Sequence, residues 1–287
     1  MRFSTFRERY PVPLSELLVA PVLFRDAFPF LLGTPPVSAP LLRDLARAAG
    51  HSETAIRTAM SRLRASGLVE VRVPPDGGEP RYHRGALTRS LQEIVAGQLE
   101  RPDGFTLVVF AFATENTRER QVVREALRLH GFQRLAQNTY IGGCIDTTAL
   151  ESTFRHEGIE DNVFVFRTRG DLPPNVEERL ITLFDLRARA RVLRALRSDL
   201  TALLEDPRLD DAEHTQRLLY AGPVHYRITF VEEPQLPESA HPAEYPLADV
   251  VTLLPRLAEA RAQACVRYFS SFERSLEGPR PRTKDSS

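Results

Sequence analysis

The apolar positions of this chain change their period several times, and each change marks an element. In VSAPLLRDLARAAG, residues 37–50, the pattern predicts a helix with Ser38 as N-cap, Pro40 in its first turn and Gly50 at the C-terminal stop. After a short step, HSETAIRTAMSRLRASGLVE places Ile56, Met60 and Leu63 on one stripe of a second helix, capped by Ser52 and ended by Gly67. The period then drops to two: LVEVRVPPDGGEPRYHRGALT holds two short β-rich runs around PDGG, a hairpin signal. Helix, tight turn, helix and ribbon in that order predict a winged helix-turn-helix. The apolar segment Leu14 to Leu32 is expected to close its three-helix core, with Pro21 and Pro29 interrupting it.

After Gln98 the pattern alternates between strand and helix. FTLVVFAFAT reads as a buried strand, NTRERQVVREALRLHG as an amphipathic helix ending at Gly131, and FQRLAQNTYIGG as one broken strand or two short ones. DTTALESTFRH reads as a helix and NVFVFRTR as a closing strand, which together predict a β-α-β-β-α-β domain of the ferredoxin-like kind. The paired prolines of DLPPNVEE mark the next boundary. Val176 to Glu205 reads as one long helix with an interruption, followed by short helical pieces around a proline-rich turn and a last helix reaching about Phe272. The end, LEGPRPRTKDSS, has the composition of a disordered tail. The expected fold class is α+β: a winged helix-turn-helix over 1–98, a central ferredoxin-like domain over 99–172, a mainly helical C-terminal domain over 173–277, and a tail over 278–287.

Composition narrows the setting. A chain of 287 residues is long enough for two or three domains with their own cores. Cys144 and Cys265 are its only cysteines and lack metal-ligand spacing, which suits a reducing compartment. MRFSTFRERY has no apolar signal core, and no run approaches the roughly 18 apolar residues of a membrane span, so a soluble, cytoplasmic protein without a membrane partner is expected. Basic and acidic residues balance at 38 each, so net charge points to no polyanionic partner. Between His51 and Arg89, however, seven arginines face four acids. Because Lys284 is the only lysine, arginine positions carry more meaning than arginine counts.

The positions in the second helix are informative. At about 100° per residue, Thr54, Thr58, Ser61 and Ala65 lie opposite the Ile56, Met60 and Leu63 seam, with Arg57 and Arg64 on one flank and Arg62 on the other. Small hydroxyl residues let a helix approach a major groove closely, and the flanking guanidinium groups can reach guanine edges or phosphates. An ordinary solvated amphipathic helix shows the same face in isolation; the capped helix before it and the ribbon after it favour DNA. Thr54, Arg57, Thr58 and Ser61 are expected to face bases, and Ser52, Arg62 and Arg64 to hold phosphates. In the ribbon, Arg81, His83 and Arg84 are further candidates; Arg81 and His83 share one side of an ideal strand and Tyr82 and Arg84 the other, so one pair alone can point at DNA.

Several stretches resemble the PaaX-type transcriptional repressors of phenylacetic acid catabolism. They are AIRTAMSRLRASGLVE with a ribbon ending in LT, then LVVFAFATENTRERQVVREALRLHGFQRLAQNTYIGG, then EEPQLP followed by EYPLADVV. The resemblance spans nearly the whole chain. It implies a homodimer whose winged helices bind double-stranded promoter DNA, a central domain similar to the small ferredoxin-like nuclease of CRISPR adaptation, and release from DNA by a small-molecule effector such as an aryl-CoA thioester. The chain departs from the family in having no tryptophan: Leu68, Phe105, Phe184 and Tyr245 stand where family members often carry one. If such a position touches the effector, the ligand differs here.

The resemblance raises two rival readings, a metal-dependent nuclease and an interaction module that does not bind DNA. Nucleases of the similar fold carry an aspartate at the end of the first strand to hold a divalent cation. Here VVFAFATE places Ala111, Phe112 and Ala113 there, with Glu115 as the one nearby substitute. No nucleophile elbow, zinc-protease helix, Walker loop or dinucleotide fingerprint occurs, and none of the seven histidines, His130 and His225 among them, forms a metal-spaced pair. No enzyme activity, catalytic residue, metal or cofactor is therefore expected. Arg187, Arg189, Arg191, Arg194 and Arg197 surround the axis of the long helix, where a solvated face is the default and a phosphate cleft for a CoA-type effector the sharper alternative.

Overall fold

The computed structural model describes residues 2–19, 37–73, 81–84, 102–113, 115–143, 147–169, 174–206 and 212–264. Pro21, Pro29, the PDGG turn, Cys144, Cys265 and the tail over 278–287 lie outside the described residues. In chain order, the elements begin with α1 (Phe3–Arg9), β1 (Val37–Ser38), α2 (Ala39–Ala48), α3 (Glu53–Ala65), β2 (Val69–Arg72) and β3 (Arg81–Arg84). Then come β4 (Gly104–Phe110), α4 (Thr117–Leu129), β5 (Gln133–Ala136), β6 (Thr139–Gly143), α5 (Thr148–His156) and β7 (Val163–Arg169). The last are α6 (Pro174–Leu183), α7 (Leu186–Leu204), α8 (Ala212–Tyr226) and α9 (Leu247–Val251), and residues 14–19 and 254–264 are helical as well. Helices with two antiparallel sheets make this an α+β protein. Contacts divide the chain into two compact units, one of residues 1–95, 196–231 and 249–287, the other of 96–195 and 232–248. The expected central segment over 99–172 falls within the second unit, and the expected C-terminal segment is shared between both.

In the first unit, α2 and α3 are joined by a turn that needs Gly50 at a φ of +85°. The amide of Gly50 donates to the carbonyl of Arg47 and that of His51 to Ala46, which closes α2 and re-aims the chain into α3. Leu42, Leu45, Ile56, Met60, Leu63 and Val69 are buried, Ile56, Met60 and Leu63 as their stripe predicted. Ser38, expected as the N-cap of the helix, lies with Val37 in β1, so the sheet has three strands in the order β1-β3-β2. Leu17 and Leu18 of the expected closing segment are fully buried. A larger contribution comes from far along the chain. Tyr220 of α8 meets the rings of Phe3 and Phe6 edge-on at 5.5 and 6.2 Å, and its hydroxyl accepts from the amide of Val12 and donates to the carbonyl of Tyr10.

The α8 region corrects the expectation of short helical pieces: it is one helix of 15 residues, continuing as a π-helical turn over Arg227–Val231, with Pro223 inside it. Proline removes one backbone hydrogen bond and crowds the preceding turn. The burial of Leu218, Leu219, Tyr220, Ala221, Val224 and Ile228 around it offsets that cost, each large side chain adding on the order of 2 kcal/mol.

The second unit holds a four-stranded sheet in the order β5-β6-β4-β7, every pair antiparallel. With α4 after β4 and α5 after β6, the element order is β-α-β-β-α-β. One face packs Val108, Phe110 and Tyr140 against Val123, Leu127, Leu150 and Phe154 of α4 and α5. The other face packs Phe105 and Ile141 against Leu180, Phe184, Leu186 and Leu236. Burial on both faces explains why β4 reads as an almost unbroken apolar run rather than an alternating one. The two-strand reading of FQRLAQNTYIGG is the correct one: Gln137 and Asn138 turn between β5 and β6, with Asn138 at a φ of 57°. The interruption of the long helix falls at Phe184 and Asp185, between α6 and α7.

Candidate nucleic-acid interface

The site begins with the cap of α3. The Ser52 hydroxyl accepts from the amide of Ala55 at 3.3 Å, satisfying one of the donors a helix start leaves open. Ile56, Met60 and Leu63 hold the inner side of the helix, at 2%, 8% and 5% exposure, and so fix which side turns outward. Thr54, Arg57, Thr58, Ser61, Arg62, Arg64 and Ala65 are all exposed. The structure thus brings the predicted residues of this helix onto one open surface.

Charge on that surface is arranged by a contact that spacing did not show. Glu53, the acid in the first turn of α3, is held by Arg47 of α2, whose guanidinium donates to it at 2.6 and 3.1 Å. Arg47 also lies 3.7 Å from Asp44. The bridge neutralises the one carboxylate of α3 and ties the two helices across their turn. Arg57, Arg62 and Arg64 make no ion pair among the described residues, so their charge is available to an external anion. Thr58 donates its hydroxyl to the carbonyl of Thr54 at 2.9 Å, which leaves its oxygen lone pairs and its methyl for a partner.

The ribbon resolves the choice between its two sides. In the β2–β3 register, Arg81 stands opposite Arg72 and His83 opposite Glu70, whereas Tyr82 stands opposite Val71 and position 84 opposite Val69. Directly paired residues share a face, and Val69 is buried. Arg81 and His83 therefore share the face of Glu70 and Arg72, away from the core, with Arg81 exposed and His83 half-buried. Position 84 is on the core-side face, and the Arg84 side chain lies outside the described residues. Arg72, exposed and 3.5 Å from Glu70, joins this outer face; strand alternation alone could have found it.

The remaining candidates are placed as follows. β4 ends at Phe110; beyond it Phe112 packs on the sheet core and Glu115 is exposed, and no group of three or more potential metal ligands occurs among the described residues. Of the arginines on α7, Arg189 approaches Glu232 at 3.5 Å and Arg197 bonds Asp249 at 2.8 Å, whereas Arg187, Arg191 and Arg194 are exposed. Phe105, Phe184 and Tyr245 meet in one apolar cluster of the second unit. Beside it is a polar group that sequence patterning missed. The Tyr245 hydroxyl donates to Glu233 at 2.7 Å, and the His241 ring stacks on Tyr245 at 4.4 Å with its Nε2 3.8 Å from the same carboxylate. Glu233 is buried there.

No protein-family model and no curated protein matches this sequence. Among solved structures, the uncharacterized protein Rv0674 from Mycobacterium tuberculosis is similar in fold, with a TM-score of 0.50 and 17% identity over 88% of this chain and 98% of that one. No helix among the described residues is long and apolar enough to cross a membrane.

Proposed function

We propose that this protein is a DNA-binding transcriptional regulator of the PaaX type, a repressor that binds promoter DNA as a homodimer and is released by a small-molecule effector such as an aryl-CoA thioester. In this reading the first unit presents a winged helix-turn-helix: α2, the Gly50 turn and α3, followed by the β2–β3 ribbon. The second unit's β-α-β-β-α-β order and its strand order support reading it as a ferredoxin-like domain. The observation that carries the reading is the outward face of α3, where Thr54, Arg57, Thr58 and Ser61 are exposed opposite a buried Ile56, Met60 and Leu63. Thr54, Arg57, Thr58 and Ser61 read bases; Ser52, Arg62, Arg64 and the outer-face Arg81 and His83 hold phosphates. A two-fold protein meets an inverted repeat with half-sites about one helical turn apart, or a multiple of that.

The test is selection of binding duplexes from a random pool, followed by fluorescence anisotropy over a salt series. Arg57→Ala costs about 1–3 kcal/mol on the selected site and relaxes its sequence preference. Arg64→Ala weakens every duplex alike and lowers the salt slope by about one. Equal losses for both variants with unchanged preference would refute the assignment of faces. No duplex binding even at low salt would refute the regulator reading altogether.

A further inference from the structure

α1 carries no residue of the outward α3 face, yet it touches the turn that aims that face. Arg7, half-buried in the last turn of α1, donates from Nη1 to the carbonyl of Ala48 at 3.5 Å. Ala48 is the last residue of α2, where carbonyls lack helical partners and the negative end of the helix dipole favours a cation. Gly50, two positions on, faces the same guanidinium: a Cβ there would lie 2.7 Å from Nη1. The turn thus needs glycine for its φ of +85° and again for the approach of Arg7. α1 is itself pinned by segments far along the chain. The amide of Phe3 donates to Glu213 of α8 at 2.6 Å, and Arg9 and Tyr10 donate to Asp199 of α7 at 2.8 and 2.7 Å. Arg7 therefore stands between a base fixed by Asp199, Glu213 and Tyr220 and the turn that joins α2 to α3.

We propose that Arg7 is a positioning residue for base reading: through the Ala48 carbonyl and the Gly50 turn it sets the angle at which α3 leaves α2. The inference rests on the regulator reading and adds to it a route by which a change around Asp199 and Glu213 reaches α3 without passing through the ribbon. Small angles matter here. α3 has 13 residues and is therefore about 19 Å long, so a tilt of roughly 10° moves its far end by about 3 Å, the length of a hydrogen bond. Base contacts tolerate far less displacement than that, whereas phosphate contacts from long side chains follow the backbone. The Arg47–Glu53 bridge spans the same turn through exposed side chains, and Arg7 holds it from α1, so the angle is fixed by two separate ties.

Full-length Arg7→Ala, Arg7→Lys, Glu213→Ala and the double variant Arg7→Ala, Glu213→Ala test it, by anisotropy on the selected duplex and on a scrambled one of equal length. Arg7→Ala is expected to lower the ratio of the two affinities about tenfold, the size of one well-made base contact, with scrambled-duplex affinity and its salt slope unchanged. Arg7→Lys keeps a cation and a donor for Ala48 and restores most of the ratio. Glu213→Ala acts in the same direction, and the double variant loses less than the product of the single losses, because both act through α1. An unchanged ratio in Arg7→Ala overturns the proposal. Equal weakening on both duplexes with a lower salt slope also overturns it, and makes Arg7 a phosphate contact instead. Multiplicative losses in the double variant remove the route from Glu213. Should Arg7→Ala fail to melt cooperatively, Arg7→Met, which keeps the stem without the charge, takes its place in every comparison. A wild type that binds no duplex sinks the regulator reading. Hydrogen exchange at the amides of Gly50 and His51 then decides whether Arg7 holds the turn: it quickens in Arg7→Ala if so, and an unchanged rate overturns that as well.

Discussion

His225 of α8 has none of its surface exposed. It bonds the carbonyl of Val250 through Nε2 at 3.0 Å, and because a carbonyl can only accept, the ring proton resides on Nε2. The Thr229 hydroxyl donates to the backbone carbonyl of His225 at 2.6 Å and lies 3.3 Å from the other ring nitrogen. Burial is the main cause that lowers the pKa of this histidine from 6.5 to about 4; the positive charge of Arg261 adds to it and the bond to Val250 opposes it. The unfolded chain therefore takes up a proton near pH 6.5 that the folded chain refuses until about pH 4. The resulting stabilisation is fully present above pH 6.5 and is lost as pH falls toward about 4. At about 1.4 kcal/mol per pH unit, the whole window is worth about 3 kcal/mol. Urea unfolding at steps from about pH 7 to about pH 4 measures it, against His225→Gln, whose amide keeps a donor for Val250 and does not titrate. The wild type should lose about 3 kcal/mol more than the variant over that window. Parallel stability curves would refute the claim that the folded protein holds this ring neutral.

Three further outcomes follow from packing and capping. Tyr220→Phe removes the hydroxyl that accepts from Val12 and donates to Tyr10, leaving two backbone groups without that partner; thermal unfolding should show a loss of about 1–3 kcal/mol. Gly143→Ala would drive its Cβ into the carbonyl of Gln235, a backbone atom that cannot swing away, and should destabilise by about 3 kcal/mol in chemical denaturation. Ser52→Ala should cost about 1 kcal/mol through loss of the α3 cap. Ser52→Asp should keep that stability yet weaken duplex binding through its added negative charge, a separation visible when melting and anisotropy are measured on the same samples.

Much of the architecture was legible because its signals are local. The cap at Ser52, the stop at Gly67 and the Ile56, Met60, Leu63 stripe depend on neighbours within a few residues, and the same holds for the strands and helices from Gly104 to Arg169. β1 was not legible, since two residues carry no period. α8 was misread because Pro223 argues against a helix locally while the burial that overrides it comes from distant segments. At the candidate interface the exposed face of α3 could be drawn from angles alone. The Arg47–Glu53 bridge could not, because it depends on how the Gly50 turn brings two helices together. Glu233, His241 and Tyr245 lie in irregular chain, where no periodicity links an acid to a ring eight or twelve positions away.

Tyr220 closes the core around Tyr10 and Val12, so the portion of the chain carrying α3 cannot finish folding when its own residues leave the ribosome. From residue 95 the chain must be extended as far as Tyr220 before its missing wall arrives. Anyone grafting α3 and its ribbon onto another protein should therefore carry the 196–231 segment along, since a cut near residue 95 would leave Phe3 and Phe6 facing water in place of the ring that covers them.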